Sequence, residues 1–239
     1  MDALRFISLG AVLAAPAIAS GQRFSPPERP LDTYRMAAGG SVSYGLPVGE
    51  FQDYVDHGWG LDAFFRWNAD PHGILSLRLD GGFVEYGSET KRFPLLPGTG
   101  RITVKLTTSN NIAWMGVGPQ LTIPTPFMQP YVNASAGFSY FFTESSVAGS
   151  SDNTNFADTQ NYDDGTFAWG VGGGFLIPFH TRKANIALDL GVRYHGNGQV
   201  SYLRKGGIED LPGGQILLHP IQSEANLLTY RLGVSVLIP

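Results

Sequence analysis

The 239-residue chain contains no cysteine. That excludes a disulfide framework, a thiol nucleophile, a cysteine-based metal site and a lipid-modified cysteine. Charge is scarce: Asp, Glu, Lys and Arg make up 15% of the chain, against roughly 25% in soluble domains. Long apolar runs are missing after the first 20 residues, so no transmembrane helix is expected beyond them. The net charge of -4 gives no basic balance that would suit a nucleic acid. His57, His72, His180, His195 and His219 are dispersed, without HxH or HExxH spacing, so no zinc site is expected. Gly170 to Gly174 is set between strand signals with no helix after it, which excludes a dinucleotide fingerprint. No cofactor is implied.

What the chain has is glycine and alternation. Glycine contributes 31 of the 239 residues, about twice the usual share of roughly 7%. Together with 12% aromatic residues, this points to strands and turns. Met1 to Ala19 reads as a secretory signal peptide: Arg5 precedes the apolar run Phe6 to Ala15, Pro16 breaks it, and Ala17-Ile18-Ala19 suits cleavage before Ser20. Residues 20–33, with Pro26, Pro27 and Pro30, read as an extended periplasmic lead-in. Residues 34–239 read as a single all-β domain.

Within it, eight stretches alternate with period two. The clearest is Asn185 to His195, where Ile186, Leu188, Leu190, Val192 and Tyr194 oppose Ala187, Asp189, Gly191, Arg193 and His195. The others are about Tyr34 to Tyr44, Trp59 to Trp67, Ile74 to Tyr86, Ile102 to Ile123, Tyr131 to Thr143, Thr166 to Ile177 and Leu228 to Ile238. Thr107 to Asn111 could form a turn that splits the fourth stretch. An odd strand count would follow, so one long strand is preferred. The intervening loops alternate in length. They run about 14, 15, 21 and 22 residues after the odd strands and about 5 to 7 after the even ones. That is the pattern of a transmembrane barrel with long extracellular loops and short periplasmic turns.

Alternation does not by itself say which face points outward. Volume does: the apolar faces carry some 35 side chains, far more than an eight-stranded lumen holds. The opposite faces are rich in Gly, Ala and Ser, which suits a crowded interior. Aromatics near strand ends (Trp59, Trp67, Phe83, Tyr131, Phe142, Phe167, Phe175, Tyr194 and Tyr230) suit interfacial girdles. The expectation is therefore an all-β fold, an eight-stranded antiparallel up-and-down transmembrane β-barrel with its apolar face outward.

The inward faces bring a mixed-sign set: Asp62, Arg66, Arg78, Asp80, Asp189, Arg193 and Arg231. Shielded by lipid, these groups must pair and hydrogen-bond, and a salt-bridge network filling the lumen is expected; the alternative is a narrow gated ion path. Tyr194-His195-Gly196-Asn197-Gly198 superficially resembles the His-x-Ser-Asn stretch of outer-membrane lipid A deacylases. No Ser stands in the required place, and Ser201 is six residues on. His195 and Asn197 are instead expected as polar residues near the extracellular rim, and no catalytic residues are assigned. Glu144 to Asp164 reads as a solvated polar loop. Its Asp152, Asp158, Asp163 and Asp164 lack EF-hand spacing.

The stretches PYVNASAGFSYFF (Pro130 to Phe142), WGVGGGFLIP (Trp169 to Pro178), LDLGVRYHGNGQVSYL (Leu188 to Leu203) and YRLGVSVLIP (Tyr230 to Pro239) resemble the eight-stranded outer-membrane β-barrel domain family, of the OmpA-barrel and OmpX type. The resemblance spans nearly all of residues 34–239. It implies a cell outer-membrane protein in contact with lipid, lipopolysaccharide and the barrel-insertion machinery. It also implies a structural or surface-interaction role, with a possible extracellular ligand held by the loops, and a monomer. A small pore or, further off, a lipid-modifying enzyme are the alternatives. The chain departs from the family in ending Leu237-Ile238-Pro239 instead of in an aromatic residue. Either recognition tolerates this end or assembly relies on other strands. No peptidoglycan-binding domain follows the last strand, so cell-wall anchoring is not implied.

Overall fold

A computed structural model describes residues 35–96, 99–149, 155–180, 185–212 and 215–238. The expected signal peptide and the proline-rich lead-in lie outside the described residues. The described residues form twelve strands: β1 (Met36–Val48), β2 (Gly58–Asn68), β3 (Leu75–Leu96), β4 (Thr99–Thr122), β5 (Gln129–Gly149), β6 (Asn155–His180), β7 (Asn185–Asn197), β8 (Gln199–Tyr202), β9 (Ile208–Leu211), β10 (Gln215–Leu218), β11 (Ile221–Glu224) and β12 (Asn226–Ile238). Strands β1 to β7 and β12 form one closed barrel in which each strand pairs antiparallel with its neighbours. β12 closes it against β1, from Met36 opposite Ile238 to Val48 opposite Asn226. The described start of β1 and end of β12 therefore lie at the same end of the barrel. Among the described residues no helix is long and apolar enough to cross a membrane, which says nothing of strands.

Each barrel strand keeps the alternation read from its sequence. Leu61, Met115, Val132, Phe167, Leu190 and Leu232 are exposed on the outside, while Arg78, Asp80, Asn133, Asp189 and Arg231 are buried inside. The preferred single long fourth strand is found, with Thr107 to Asn111 inside β4.

Two of the four expected long loops are corrected. β3 and β4 continue past the barrel rim as a hairpin whose described pairing reaches Leu96 opposite Thr99. β5 and β6 do the same, and Glu144 pairs with Gln160 where a solvated loop was expected. β4 and β5 stay paired up to Val104 opposite Gly149, so the two arms form one four-stranded sheet above the rim. Polarity misled here. A run of Thr, Ser and Asn reports that water is near, while Thr and its cross-strand partners still favour an extended backbone. Thr90 and Thr107 illustrate this, with hydroxyls 3.1 Å apart across the β3–β4 pair.

The fourth upper connection leaves the barrel at Asn197 and forms two small sheets, β8 with β11 and β9 with β10. At the opposite end the β2–β3 connection is a tight turn. The Asp70 carboxylate accepts the backbone N–H groups of His72, Ile74 and Leu75 at 2.9, 3.2 and 2.6 Å, and Gly73 takes φ of +69°.

Along β3 the hydrophobic pattern inverts. Up to Phe83 the apolar residues Leu77, Leu79 and Phe83 are exposed, and Ser76, Arg78 and Asp80 are buried. From there on Val84 and Tyr86 are buried, and the outer positions are Glu85, Ser88 and Thr90. The strand thus passes from one solvent to another within a few residues. A bulge between Glu85 and Gly87 marks the change.

Candidate functional site

The barrel interior has two layers. In the lower one, Asp80 is the hub. Arg78 Nε donates to Asp80 Oδ1 at 2.7 Å, and Arg193 approaches Asp80 Oδ2 at 3.2 Å. Arg78 also donates to Gln120 Oε1 at 2.9 Å, and Gln120 donates to Thr122. The Arg78 guanidinium stacks 3.8 Å from the centre of the Phe64 ring. Arg193 donates to Ser135 and lies 5.1 Å from the Trp114 ring centre. A second group forms around Tyr131, whose hydroxyl donates to Asp189 at 2.6 Å and accepts from Arg231 at 3.3 Å.

Glycines make room for these large groups. A Cβ on Gly191 would stand 2.7 Å from the Tyr131 hydroxyl. One on Gly39 would stand 2.4 Å from Phe64 and 2.7 Å from the Val234 carbonyl.

All seven expected lumen charges are buried. Five are brought together: Arg78, Asp80 and Arg193 directly, and Asp189 and Arg231 through Tyr131. Asp62 and Arg66, which share the inner face of β2, make no direct ion pair among the described residues. The Arg66 Nε has no acceptor, and its cross-strand partner on β3 is another cation, Arg78.

Three residues sit elsewhere than expected. Tyr131, read as part of an aromatic girdle, is inside, 3% exposed. Its parity with Asn133 and Ser135 places it there. His195 and Asn197, read as rim residues, are buried as well. His195 packs edge-on to Trp114 with ring centres 4.6 Å apart and lies 3.2 Å from the Thr229 hydroxyl. Asn197 donates to the Ala225 carbonyl at 2.6 Å. The inward aromatics Phe64 and Trp114 also follow from strand parity, but size rather than charge makes them useful, and no charge pattern marks them.

The upper layer is apolar. Phe51, carried on a single 3-10 turn (Gly49–Asp53), is fully buried against Val84, Tyr86, Ile112, Phe141, Tyr202 and Leu227. Its ring meets Tyr86 and Tyr202 edge-on at 5.4 and 5.2 Å, an arrangement aromatic quadrupoles favour. The two phenols are satisfied: Tyr86 donates to the Leu203 carbonyl at 3.0 Å, and Tyr202 lies 2.9 Å from the Ser223 hydroxyl. β8 and β11 thus close the mouth of the barrel from above. Asp164 fastens β8 to β6 by accepting the Ser201 N–H at 2.8 Å.

Above this seal, a cleft of about 310 Å³ separates the inner face of the four-stranded extension from the turn at Arg204 to Gly207. This cleft lies outside the lumen. Among the described residues no three His, Asp or Glu side chains gather as metal ligands.

No family model matches the chain, and no curated protein does. Solved structures similar to it include the Neisserial surface protein A, NspA, at 14% identity over 85% of this chain and 97% of that one, with a TM-score of 0.42. Ail, the attachment invasion locus protein of Yersinia pestis, is similar at 10% identity over 84% and 96%, with a TM-score of 0.46. The outer membrane protein OprG from Pseudomonas aeruginosa is similar at 12% identity over 84% and 94%, with a TM-score of 0.42. By its own strand order, closure and outward apolar belt, the chain is an eight-stranded antiparallel up-and-down β-barrel, similar in fold to bacterial outer-membrane proteins.

Proposed function

We propose that the chain is an integral outer-membrane barrel that displays a sheet and a cleft above the membrane and does not conduct. The single observation that carries this is the two-layer interior, with an apolar seal around Phe51 over a charged layer around Asp80. An ion path would need a continuous wet route through both layers, and the upper one is filled by packed aromatic and aliphatic side chains whose phenol hydroxyls are already hydrogen-bonded. The outer belt supports the membrane placement. An exposed apolar surface of this extent is stable only against lipid or a partner, and a closed sheet leaves no backbone group unpaired in lipid. The inversion at Phe83 and Glu85 on β3 then marks the outer boundary of the bilayer, with the Asp70 turn on the periplasmic side. Lipid and lipopolysaccharide are the surroundings this reading implies, the barrel-insertion machinery is its assembly partner, and the single closed sheet suits a monomer. Function then resides in the extension and the upper connection, without catalysis.

Planar-bilayer recordings of the refolded protein test the reading. Background conductance is expected across the whole voltage range. Reproducible unitary steps would replace it with the pore.

A further inference from the structure

We propose that the cleft above the seal binds a sugar bearing phosphate or sulfate groups; this rests on the surface-display reading above and names the ligand class of that surface. The cleft volume of about 310 Å³ is at the small end for a ligand site and holds one or two sugar rings. Its two walls differ in chemistry. One is a tight turn in which the Gly207 N–H bonds to the Arg204 carbonyl at 2.9 Å and Gly206 takes φ of +77°. That turn presents Arg204 and Lys205 side by side, both exposed and neither in an ion pair among the described residues. Adjacent unpaired cations of this kind seek oxyanions, and the guanidinium bonds them in pairs.

The facing wall carries Glu89, Lys91 and Leu106 and, crossing three strands, a chain of neutral polar groups. Thr108 and Ser145 hydroxyls stand 2.9 Å apart, and Asn161 donates to Ser145 at 2.6 Å. Hydroxyls and amides both donate and accept, which matches the hydroxyls of a sugar. Lys91 and Asp210, 3.3 Å apart and partly exposed, tie the two walls together.

Charge orients the ligand. Among its described residues, the β5–β6 arm from Glu144 to Asp164 carries Glu144, Asp158, Asp163 and Asp164 and no Lys or Arg. Among its described residues, the β3–β4 arm from Gly87 to Leu106 carries Lys91, Arg92 and Lys105 against Glu89 alone. An anion is therefore drawn to the side where Arg204 and Lys205 stand. Among the described residues no aromatic side chain lines the cleft, so they offer no stacking platform for nucleobases.

The refolded protein in zwitterionic detergent, titrated with inositol hexakisphosphate by calorimetry, tests the proposal. Saturable binding is expected, with no heat from neutral inositol. An Arg204→Ala, Lys205→Ala double variant should bind at least about tenfold more weakly, as expected for lost charge-assisted bonds, whereas Asp158→Asn should not weaken binding. No saturable binding, equal binding of inositol, or a double variant as tight as wild type would each overturn the proposal. Competition separates the sources: phosphorylated core oligosaccharide freed from its lipid should displace the probe as well as intact lipopolysaccharide does. Displacement by the lipid-linked form alone places recognition on the barrel flank and overturns the cleft. Heat-dependent gel mobility on the same samples separates the two readings. A folded barrel that fails to bind refutes the cleft only, whereas a protein soluble without detergent refutes the membrane placement and the cleft with it.

Discussion

Two halves of one strand, β3, solve opposite problems. From Leu75 to Phe83 it turns leucines outward and buries Ser76, Arg78 and Asp80; from Val84 on it buries Val84 and Tyr86 and turns Glu85 outward. Lipid gives apolar side chains no reason to leave it, so in the lower half the apolar face stays outside and the interior is filled by groups that must satisfy one another. Water expels apolar surface, so in the upper half the same backbone builds an ordinary apolar core. The lower layer is thus held by specificity of pairing and the upper by burial, and the two layers should respond differently to truncation.

The largest effect is expected at Asp80. Asp80→Leu removes the acceptor shared by Arg78 and Arg193 and leaves two buried cations facing each other. The cost should reach about 5 kcal/mol, the upper end for breaking a buried pair from one side. Urea unfolding of the refolded barrel, followed by tryptophan fluorescence, measures it. Arg78→Met combined with Asp80→Leu should recover part of the loss, because one stranded charge is gone. A single variant as stable as wild type would break the distinction between the layers.

A smaller loss is expected at Phe51. Phe51→Ala empties the centre of the upper layer and should cost about 3 kcal/mol, the low end for a buried Phe, because the short 3-10 turn can settle into the space. The same variant sharpens the comparison in planar bilayers. Its conductance should stay at background, since the Arg78, Asp80 and Arg193 layer still fills the lumen beneath. Unitary currents through this variant would mean that the apolar layer alone closes the barrel.

The inward faces of the lower layer were legible in the sequence and the make-up of the upper layer was not. Period-two parity placed Arg78, Asp80, Asp189 and Arg193 on inward faces, because an inward charge stands out against outward leucines. That Arg193 reaches Asp80 on β3 and Asp189 reaches Tyr131 on β5 follows only from the cross-strand geometry. Tyr131 shows parity used incompletely: an aromatic at a strand end invites an interfacial role, yet its position relative to Asn133 fixes it inside. The seal draws Phe51 from a loop, Tyr202 from β8 and Ala225 from the last connection, so no single periodic stretch contains it. It also begins where the pattern inverts, and a reader holding to one outward face through Tyr86 misses the change of solvent. The arms above the rim were hidden for a related reason. Hydrophobic alternation fades where both faces meet water, although the backbone continues as strand. The cleft walls belong to β4, β5, β6 and a distant turn, which only the closed topology brings together.

The smallest effect is expected at the other end, where a carboxylate remains in water. The Leu75 N–H above all, then those of Ile74 and His72, and the neighbouring His72 ring hold Asp70 below the usual carboxylate range. A lowered folded value means that ionised Asp70 stabilises the turn above its unfolded value of about 3.9. This contribution declines as pH falls from there through the lower folded value, and it is gone once both states are protonated. Asp70→Asn should therefore unfold at a slightly lower urea concentration than wild type at pH 7, and the two midpoints should converge in strong acid. The subtraction matters, because every other acid on the barrel titrates equally in both proteins. A difference that persisted unchanged from pH 7 into strong acid would assign the turn's stability to the shape of residue 70 instead of its charge. Asp70 would then act by fit, as Phe51 does in the upper layer, and the contrast between charge-held and packing-held ends of the barrel would not extend to this turn.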